Sequence, residues 1–244
     1  MAVSRGTTLV TGGSGGIGRG IAKRLTADGY DIINIDLVAP ETPEANEEFI
    51  RVDLTDWDSA KAALESLALR GDILRVVNNA GFIRPAMLQN TTTEDFQAVI
   101  DLNLRAPLLL AQAFLPAMRQ ARFGRIVNIA SRTALGKELR TAYSASKAGL
   151  LGMTRTWALE EGAHGITVNA IGPGPIATDL FRSGNPPDSP KTRQIIETIP
   201  VRRMGEPEDV AHAVASLIDE RAGFITGQVL YVCGGMTVGL SHTA

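Results

Sequence analysis

Thr8-Leu9-Val10-Thr11-Gly12-Gly13-Ser14-Gly15-Gly16-Ile17-Gly18 decides the fold. Its first three residues form a short apolar run of strand type. Ile17, Ile21 and Leu25 then recur at a spacing of four, which is one face of a helix. A turn from strand to helix needs residues free of side-chain clashes, and glycines supply them. The bare backbone and the unpaired N–H groups of the helix start together suit a phosphate group. The run fits both G-x-G-x-x-G, at Gly13, Gly15 and Gly18, and G-x-x-x-G-x-G, at Gly12, Gly16 and Gly18. No Gly-Lys-Ser/Thr follows, which argues against a P-loop nucleotidase.

Outward from this segment, strand-like and helical patterns alternate. Strands are predicted at Asp31–Asp36, Phe49–Val52, Ile73–Val77, Arg125–Ala130, Ile166–Ile171 and Val229–Val232. Asp56 is placed to cap a helix carrying Leu64 and Leu67. A long helical region runs from about Thr93 to Gln120, with Pro107 expected to divide it. A further helix spans Tyr143–Glu161, and Pro207, Glu208 and Asp209 open another. This alternation implies parallel pairing with right-handed crossovers. Leu9-Val10 and Val76-Val77 are apolar rather than alternating, as in strands covered on both faces. The expected fold class is α/β: a Rossmann-type, doubly wound parallel sheet of seven strands with helices on both faces. It forms one domain over residues 1–244, with a substrate flap around 181–200 where the texture turns polar and proline-containing.

Bulk properties narrow the function. The chain has 244 residues, 44% hydrophobic and 20% charged, enough for a large core. Its 24 basic and 26 acidic side chains give a net charge of −2, which argues against a nucleic-acid binder. The single cysteine, Cys233, cannot form an intramolecular disulfide, which fits a reducing compartment. Met1–Gly6 reads as no leader. Ala106–Met118, the most apolar stretch, is too short to span a bilayer. A cytoplasmic protein without membrane partners is expected. His164 and His212 lack metal-ligand spacing, and no metal is assigned.

Chemistry-bearing residues collect where strands end. Asp36 closes the second strand, where a carboxylate can accept hydrogen bonds from ribose hydroxyls and repel an additional phosphate. No cation stands at Leu37 or Gly15 to offset that repulsion, although Arg19 and Lys23 are near in sequence. NAD is therefore the expected cofactor rather than NADP. Tyr143 and Lys147 are four apart, on one helix face. A lysine cation at ~5 Å and an effective dielectric of ~20 favours a phenolate by roughly 3 kcal/mol, about two pKa units. That poises Tyr143 for proton transfer. Ser131 ends the fifth strand, and Asn78-Asn79-Ala80-Gly81 ends the fourth, on the same rim.

These motifs resemble the short-chain dehydrogenase/reductase family from Thr8 to Met236. Thr11, Gly12, Gly16 and Gly18 match its cofactor motif, and Asn78–Gly81 matches a second. The resemblance implies cofactor contacts from Gly12, Ser14, Gly15, Gly16, Ile17 and Gly18 in the loop, and from Asp36. Asp53 and Leu54 would contact adenine, with Asn79, Ala80 and Gly81 also lining the cofactor. Pro173, Gly174, Ile176 and Thr178 would hold the nicotinamide carboxamide. The catalytic set would be Asn103, Ser131, Tyr143 and Lys147. In it Lys147 binds the nicotinamide ribose and lowers the Tyr143 pKa, Ser131 holds the substrate oxygen, Tyr143 moves the proton, and Asn103 anchors a water relay. The resemblance also implies a homotetramer built on the helices around Asn103 and Tyr143. Cys233 departs from the family, standing where aspartate or asparagine is usual.

The leading expectation is an NAD-linked dehydrogenase interconverting a small secondary alcohol and a ketone. The alternative is a 3-oxoacyl-thioester (acyl-carrier-protein) reductase, for which Arg122 matches a docking arginine but His164 replaces a second one. A non-catalytic nucleotide sensor is a third reading, opposed by the intact Ser131, Tyr143 and Lys147. Arg84, Arg132 and Arg140 adjoin the rim and stand either as solvated arginines or as receivers of an anionic substrate. The pocket walls are expected from Phe82–Leu88, Leu135–Arg140 and Phe181–Pro200, segments in which fold says little about specificity.

Overall fold

The computed structural model describes residues 4–186 and 189–238. Residues 1–3, 187, 188 and 239–244, which the expected domain and flap ranges include, lie outside the described residues. Seven parallel strands form one sheet: β1 (Thr7–Thr11), β2 (Asp31–Asp36), β3 (Glu47–Arg51), β4 (Ile73–Asn78), β5 (Gly124–Ile129), β6 (Ile166–Pro173) and β7 (Val229–Val232). Their order is β3-β2-β1-β4-β5-β6-β7. The chain winds outward from β1 in one direction and then from β4 in the other. The carboxyl ends of β1 and β4 therefore flank a crevice.

Adjacent strand residues feed opposite cores, which is why these strands are continuously apolar. Leu9, Val76, Ile126 and Val168 pack on one face with α2 (Trp57–Ala68) and α4 (Ala106–Ala121). Val10, Val77, Val127 and Ile171 pack on the other with α1 (Gly16–Ala27) and the last long helix, Pro207–Ile218. Each such side chain, fully buried, contributes about 1.5–3 kcal/mol.

Helix starts follow capping chemistry. Asp56 accepts from the Ser59 N–H at the head of α2. Thr92 accepts from the Asp95 N–H at the head of α3 (Thr93–Ile100). Glu206 and Asp209 cap Pro207–Ile218 reciprocally. Two of the catalytic candidates, Tyr143 and Lys147, sit on α5 (Thr141–Glu161), which begins two residues before Tyr143. The flap carries α6 (Asp179–Gly184) and α7 (Pro190–Glu197), so Pro207–Ile218 is α8.

Pro107 does not divide the long helical region. Thr93–Ala121 is continuous, and its middle turn, Asp101–Arg105, is π-helical. Pro107 cannot donate to the carbonyl of residue 103, and the helix takes up that missing bond as a widened turn rather than a break. The joined helix is, by length and composition alone, long enough to cross a membrane, which the shorter stretch Ala106–Met118 did not suggest. Its buried face, including Leu110, Phe114 and Met118, covers the sheet. The third strand starts at Glu47 rather than Phe49, because Glu47 gives no apolar signal yet is buried against Arg19.

Two strand arginines are also buried, at the amino edge of the sheet. The Arg75 and Arg125 guanidiniums lie 4.7 and 4.3 Å from the Phe123 ring centroid. They donate to the carbonyls of Ile218, Asp219 and Glu220. Burial outweighs these partners and pushes both below the ordinary arginine value.

A buried polar relay fixes α5 against the sheet beneath the candidate site. Asn78 Nδ2 donates to Asn128 Oδ1 at 2.8 Å, and Asn128 Nδ2 donates to Thr154 Oγ1 at 2.9 Å. Thr154 in turn donates to the Leu150 carbonyl. Thr154→Val keeps the shape and orphans the Asn128 amide. It is expected to lower unfolding free energy by about 1–3 kcal/mol, seen as a reduced denaturant midpoint at unchanged slope.

Candidate active site

The glycine loop is held open by backbone geometry. Gly12 and Gly16 have φ of +67° and +50°, which side chains resist. A Cβ on Gly18 would collide with the Gly12 carbonyl oxygen, so α1 packs directly on the turn. A Cβ on Gly15 would meet nothing within 4 Å. Gly15 is the N-cap of α1, makes no side-chain cap bond, and is followed by no acidic residue in the first turn. The helix therefore presents unpaired donors and its positive end to open space. Ile17 is partly buried and packs against the core under α1 and α8. Thr11 ties this loop to β4. Its Oγ1 accepts from the N–H groups of Asn79 and Ala80, each at 3.0 Å. Asn79 Nδ2 donates to the carbonyls of Thr11 and Gly12.

Asp36 lies beside the loop, with Oδ2 accepting from Ser14 N–H at 3.1 Å and Oδ1 from Leu37 N–H at 2.7 Å. Beneath it is a network that strand and helix periodicity concealed. Asn34 is fully buried, with Oδ1 accepting from Gly13 N–H and Nδ2 donating to Ser14 Oγ and Glu47 Oε1. Glu47 accepts both Arg19 terminal nitrogens, at 3.0 and 2.7 Å. Burial opposes its charge, but Arg19, the Glu44 N–H and Asn34 together hold its carboxyl below the usual range. Arg19 is thereby neutralised. An uncluttered backbone cradle, a helix N-terminus and an outlying carboxylate fit a dinucleotide. The loop would hold its pyrophosphate and Asp36 its adenosine ribose.

Asp53 is engaged locally. Its Oδ1 accepts from the N–H and hydroxyl of Thr55, which hold its carboxyl below the usual range, while Leu54 is buried. On the far side, Pro173 ends β6. A Cβ on Gly174 would lie 2.7 Å from Cys233 Cα, so Gly174 permits that close approach. Cys233 is buried, its Sγ 3.3 Å from Thr237 Oγ1. Ile176 is buried and bridges to Gly205. Thr178 caps α6, and its Cγ2 would be 3.2 Å from a Cβ on Gly16, so this segment closes over the loop.

Asn103 sits fully buried in the π-helical turn. Its side chain pairs with both backbone groups of Phe82, and its remaining N–H goes to Ser146 Oγ at 3.1 Å. Gly81 lets this corner close, since a Cβ there would lie 2.9 Å from Asn103 Oδ1 and 3.4 Å from Lys147 Nζ. Lys147 is buried, and its Nζ donates to the Ile129 carbonyl at 2.8 Å. Burial lowers its pKa to about 8. Its Nζ is 5.7 Å from the centre of the Tyr143 ring. Ser131 Oγ accepts from Thr133 N–H.

The electrostatic expectation for Tyr143 is corrected here. Burial pushes the phenol above its ordinary value, outweighing the Ser131 hydroxyl and Arg140, which favour the phenolate. Removal of water from both groups sets the sign, ahead of any charge-pair attraction. Of the rim arginines, Arg84 is paired with Asp95 at 3.4 Å. Arg132 and Arg140 have no carboxylate partner among the described residues.

The family described as enoyl-(acyl carrier protein) reductase matches residues 12–237. The (2S)-[(R)-hydroxy(phenyl)methyl]succinyl-CoA dehydrogenase subunit BbsD of Thauera aromatica is 36% identical, over 98% of this chain and 99% of its own. The acetoacetyl-CoA reductase of Rhizobium meliloti (strain 1021) is 41% identical, over 93% and 96%. Among solved structures, a putative NAD(P)-dependent gluconate 5-dehydrogenase from Beutenbergia cavernae, with bound NADP, superposes with a TM-score of 0.89. It is 30% identical, with 98% of this chain and 99% of that one covered. The chain belongs to the short-chain dehydrogenase/reductase family, oxidoreductases that use NAD(P) on small molecules.

A buried phenol ionises late. In the cofactor-free protein, the tyrosinate absorbance lost on Tyr143→Phe substitution is expected to appear above pH 10, the ordinary tyrosine value. A difference titrating below that value would show that Lys147 outweighs burial.

Proposed function

We propose that this chain is an NAD(H)-dependent oxidoreductase that interconverts a secondary alcohol and a ketone, with Tyr143 as acid/base. The observation that carries this reading is the juxtaposition of Ser131, Tyr143 and a buried Lys147 beside an open glycine cradle. When bound, the nicotinamide accepts or donates the hydride. The protein's residues handle the proton and the oxygen. Ser131 Oγ holds the substrate oxygen, and the Tyr143 phenolate takes the hydroxyl proton during oxidation and returns it during reduction. Lys147, held by the Ile129 carbonyl, contributes positive charge beneath the phenol. Its pKa of about 8 lets it exchange a proton near neutrality. Asn103 is a positioning residue that locks Phe82 and α5 together.

NAD is favoured by Asp36, and Arg19 does not offset its charge because Glu47 already neutralises it. Neither Gly15 nor Leu37 offers a cation. The whole chain, 1–244, serves as one domain acting in the cytoplasm, with 181–200 as its substrate flap. A second reading, a 3-oxoacyl-thioester reductase, is favoured by the likeness to acetoacetyl-CoA reductase. Acyl-carrier docking has weaker support, since His164 Nδ1 lies 3.4 Å from a Glu161 already held by Arg119.

Turnover of a panel of secondary alcohols with NAD+ or NADP+, and of acetoacetyl-CoA with the reduced forms, tests both readings. NAD(H) is expected to exceed NADP(H) in kcat/KM, and Tyr143→Phe to lower kcat by about a hundredfold or more. A preference for NADP(H) of about tenfold or more, or 1.4 kcal/mol, would reverse the cofactor assignment. Full activity in Tyr143→Phe would remove the acid/base assignment.

The proposal includes a homotetramer built on α4 and α5, whose Leu108 and Leu159 are exposed in the single chain. Light scattering is expected to report four times the 25.9 kDa chain mass; a monomer would refute it.

A further inference from the structure

The rim of the candidate site carries two kinds of cation. Arg84, Arg182 and Arg203 are neutralised by Asp95, Glu206 and Asp209. Arg132, Lys137, Arg140 and Lys191 have no carboxylate within ion-pair distance among the described residues, although Glu138 lies in the same loop. Their placement follows the chain through the site. Arg132 is the residue after Ser131 and opens the short helix Arg132–Leu135. Arg140 is the N-cap of α5, three residues before Tyr143, and its loop is pinned by a bridge to Ala86. Lys191 lies on α7 in the flap, near enough for its charge to act on Lys137.

The four cations form one electrostatic cluster. Lys137 is pushed below the usual lysine value by desolvation first, and then by Arg132, Arg140 and Lys191. Arg140 also reaches Tyr143, whose phenolate it favours. Like charges gathered without a counter-ion repel one another, so the cluster costs free energy in the free protein. An anion entering it recovers that cost and gains charge-assisted hydrogen bonds, which guanidinium groups can make in pairs. Elsewhere on the rim a carboxylate of the chain fills this role. Around these four cations none does so among the described residues, which leaves the cluster open to an external anion.

We infer that Arg132, Lys137, Arg140 and Lys191 form a subsite for a negatively charged group, carboxylate or phosphate, borne by the substrate away from its reacting carbon. This rests on the proposed alcohol–ketone chemistry and narrows its substrate class to anions. The cluster reaches Tyr143 at one end and the flap at the other, so the charged group extends from the reacting carbon toward α7. Lys137 and Lys191 are exposed at the outer end, where an approaching anion first meets them.

Two matched substrate pairs separate the sources of charge. One is 3-hydroxybutyrate and its methyl ester, which differ in a carboxylate. The other is the 3-hydroxybutyryl thioester of coenzyme A and that of N-acetylcysteamine, which differ in the phosphates. The protein is expected to prefer the charged member of at least one pair by about tenfold or more in kcat/KM. The Lys137→Gln/Lys191→Gln double variant should bring that ratio close to parity. Arg182→Gln, which removes a neutralised rim arginine, should keep it. Selectivity in the first pair alone identifies a carboxylate, and in the second alone the phosphates. Equal turnover within both pairs would overturn the anion subsite while leaving the alcohol–ketone reading intact.

If no member is turned over, that reading fails for this substrate class. Calorimetric titration of the NADH-bound protein with acetoacetate and with coenzyme A then decides the subsite by itself. Binding weakened about tenfold in the double variant would support it. Absence of binding, or binding indifferent to the two substitutions, would overturn it.

Discussion

At the point where strand order reverses, the ends of β1 and β4 must diverge to leave a crevice and still be held at a defined spacing. The Thr11 hydroxyl does this by accepting from two successive N–H groups at the end of β4, while the Asn79 side chain returns two bonds to the loop. Everything on the rim is referred to this junction. The glycine loop leaves from it on one side. On the other, Gly81 leads directly to the corner where Asn103 and Lys147 meet.

The second constraint is the burial of Lys147. A primary amine with no carboxylate partner among the described residues sits inside the protein against the Ile129 carbonyl, and its pKa falls to about 8. The same dry environment raises Tyr143. Desolvation thus favours the uncharged form of both groups, lowering the amine's pKa and raising the phenol's. The polar relay from Asn78 through Asn128 to Thr154 keeps α5 in the register that places them there.

Much of this was legible in the sequence. Sheet strands covered on both faces announce themselves as unbroken apolar runs, and Asp31–Asp36 and Val229–Val232 coincide with the observed elements. Several candidate site residues, Ser131 and Asn78–Gly81 among them, belong to short motifs at strand ends, while Tyr143 and Lys147 lie on α5. What escaped was polar and buried. Glu47 opens β3 without any apolar signal, and Asn34 looks like an interruption in an apolar strand. Each is explained only by the partners that other elements bring to it. The π-helical turn holding Asn103 also has no periodic signature, since a single widened turn barely shifts the pattern around it.

The sequence by itself determined the α/β class, the strand inventory and the chemical types present on the rim. These depend on local propensity, hydrophobic period and motif spacing. Only the tertiary structure decided which charges are spent and which are free. Arg19 and Arg132 look alike as letters, yet one is neutralised by Glu47 and the other has no carboxylate partner among the described residues. The direction in which Tyr143 is shifted was likewise decided there. Neutralisation and desolvation depend on which groups distant parts of the chain bring within a few ångströms and on how much water they exclude, and neither is encoded in the spacing along the chain.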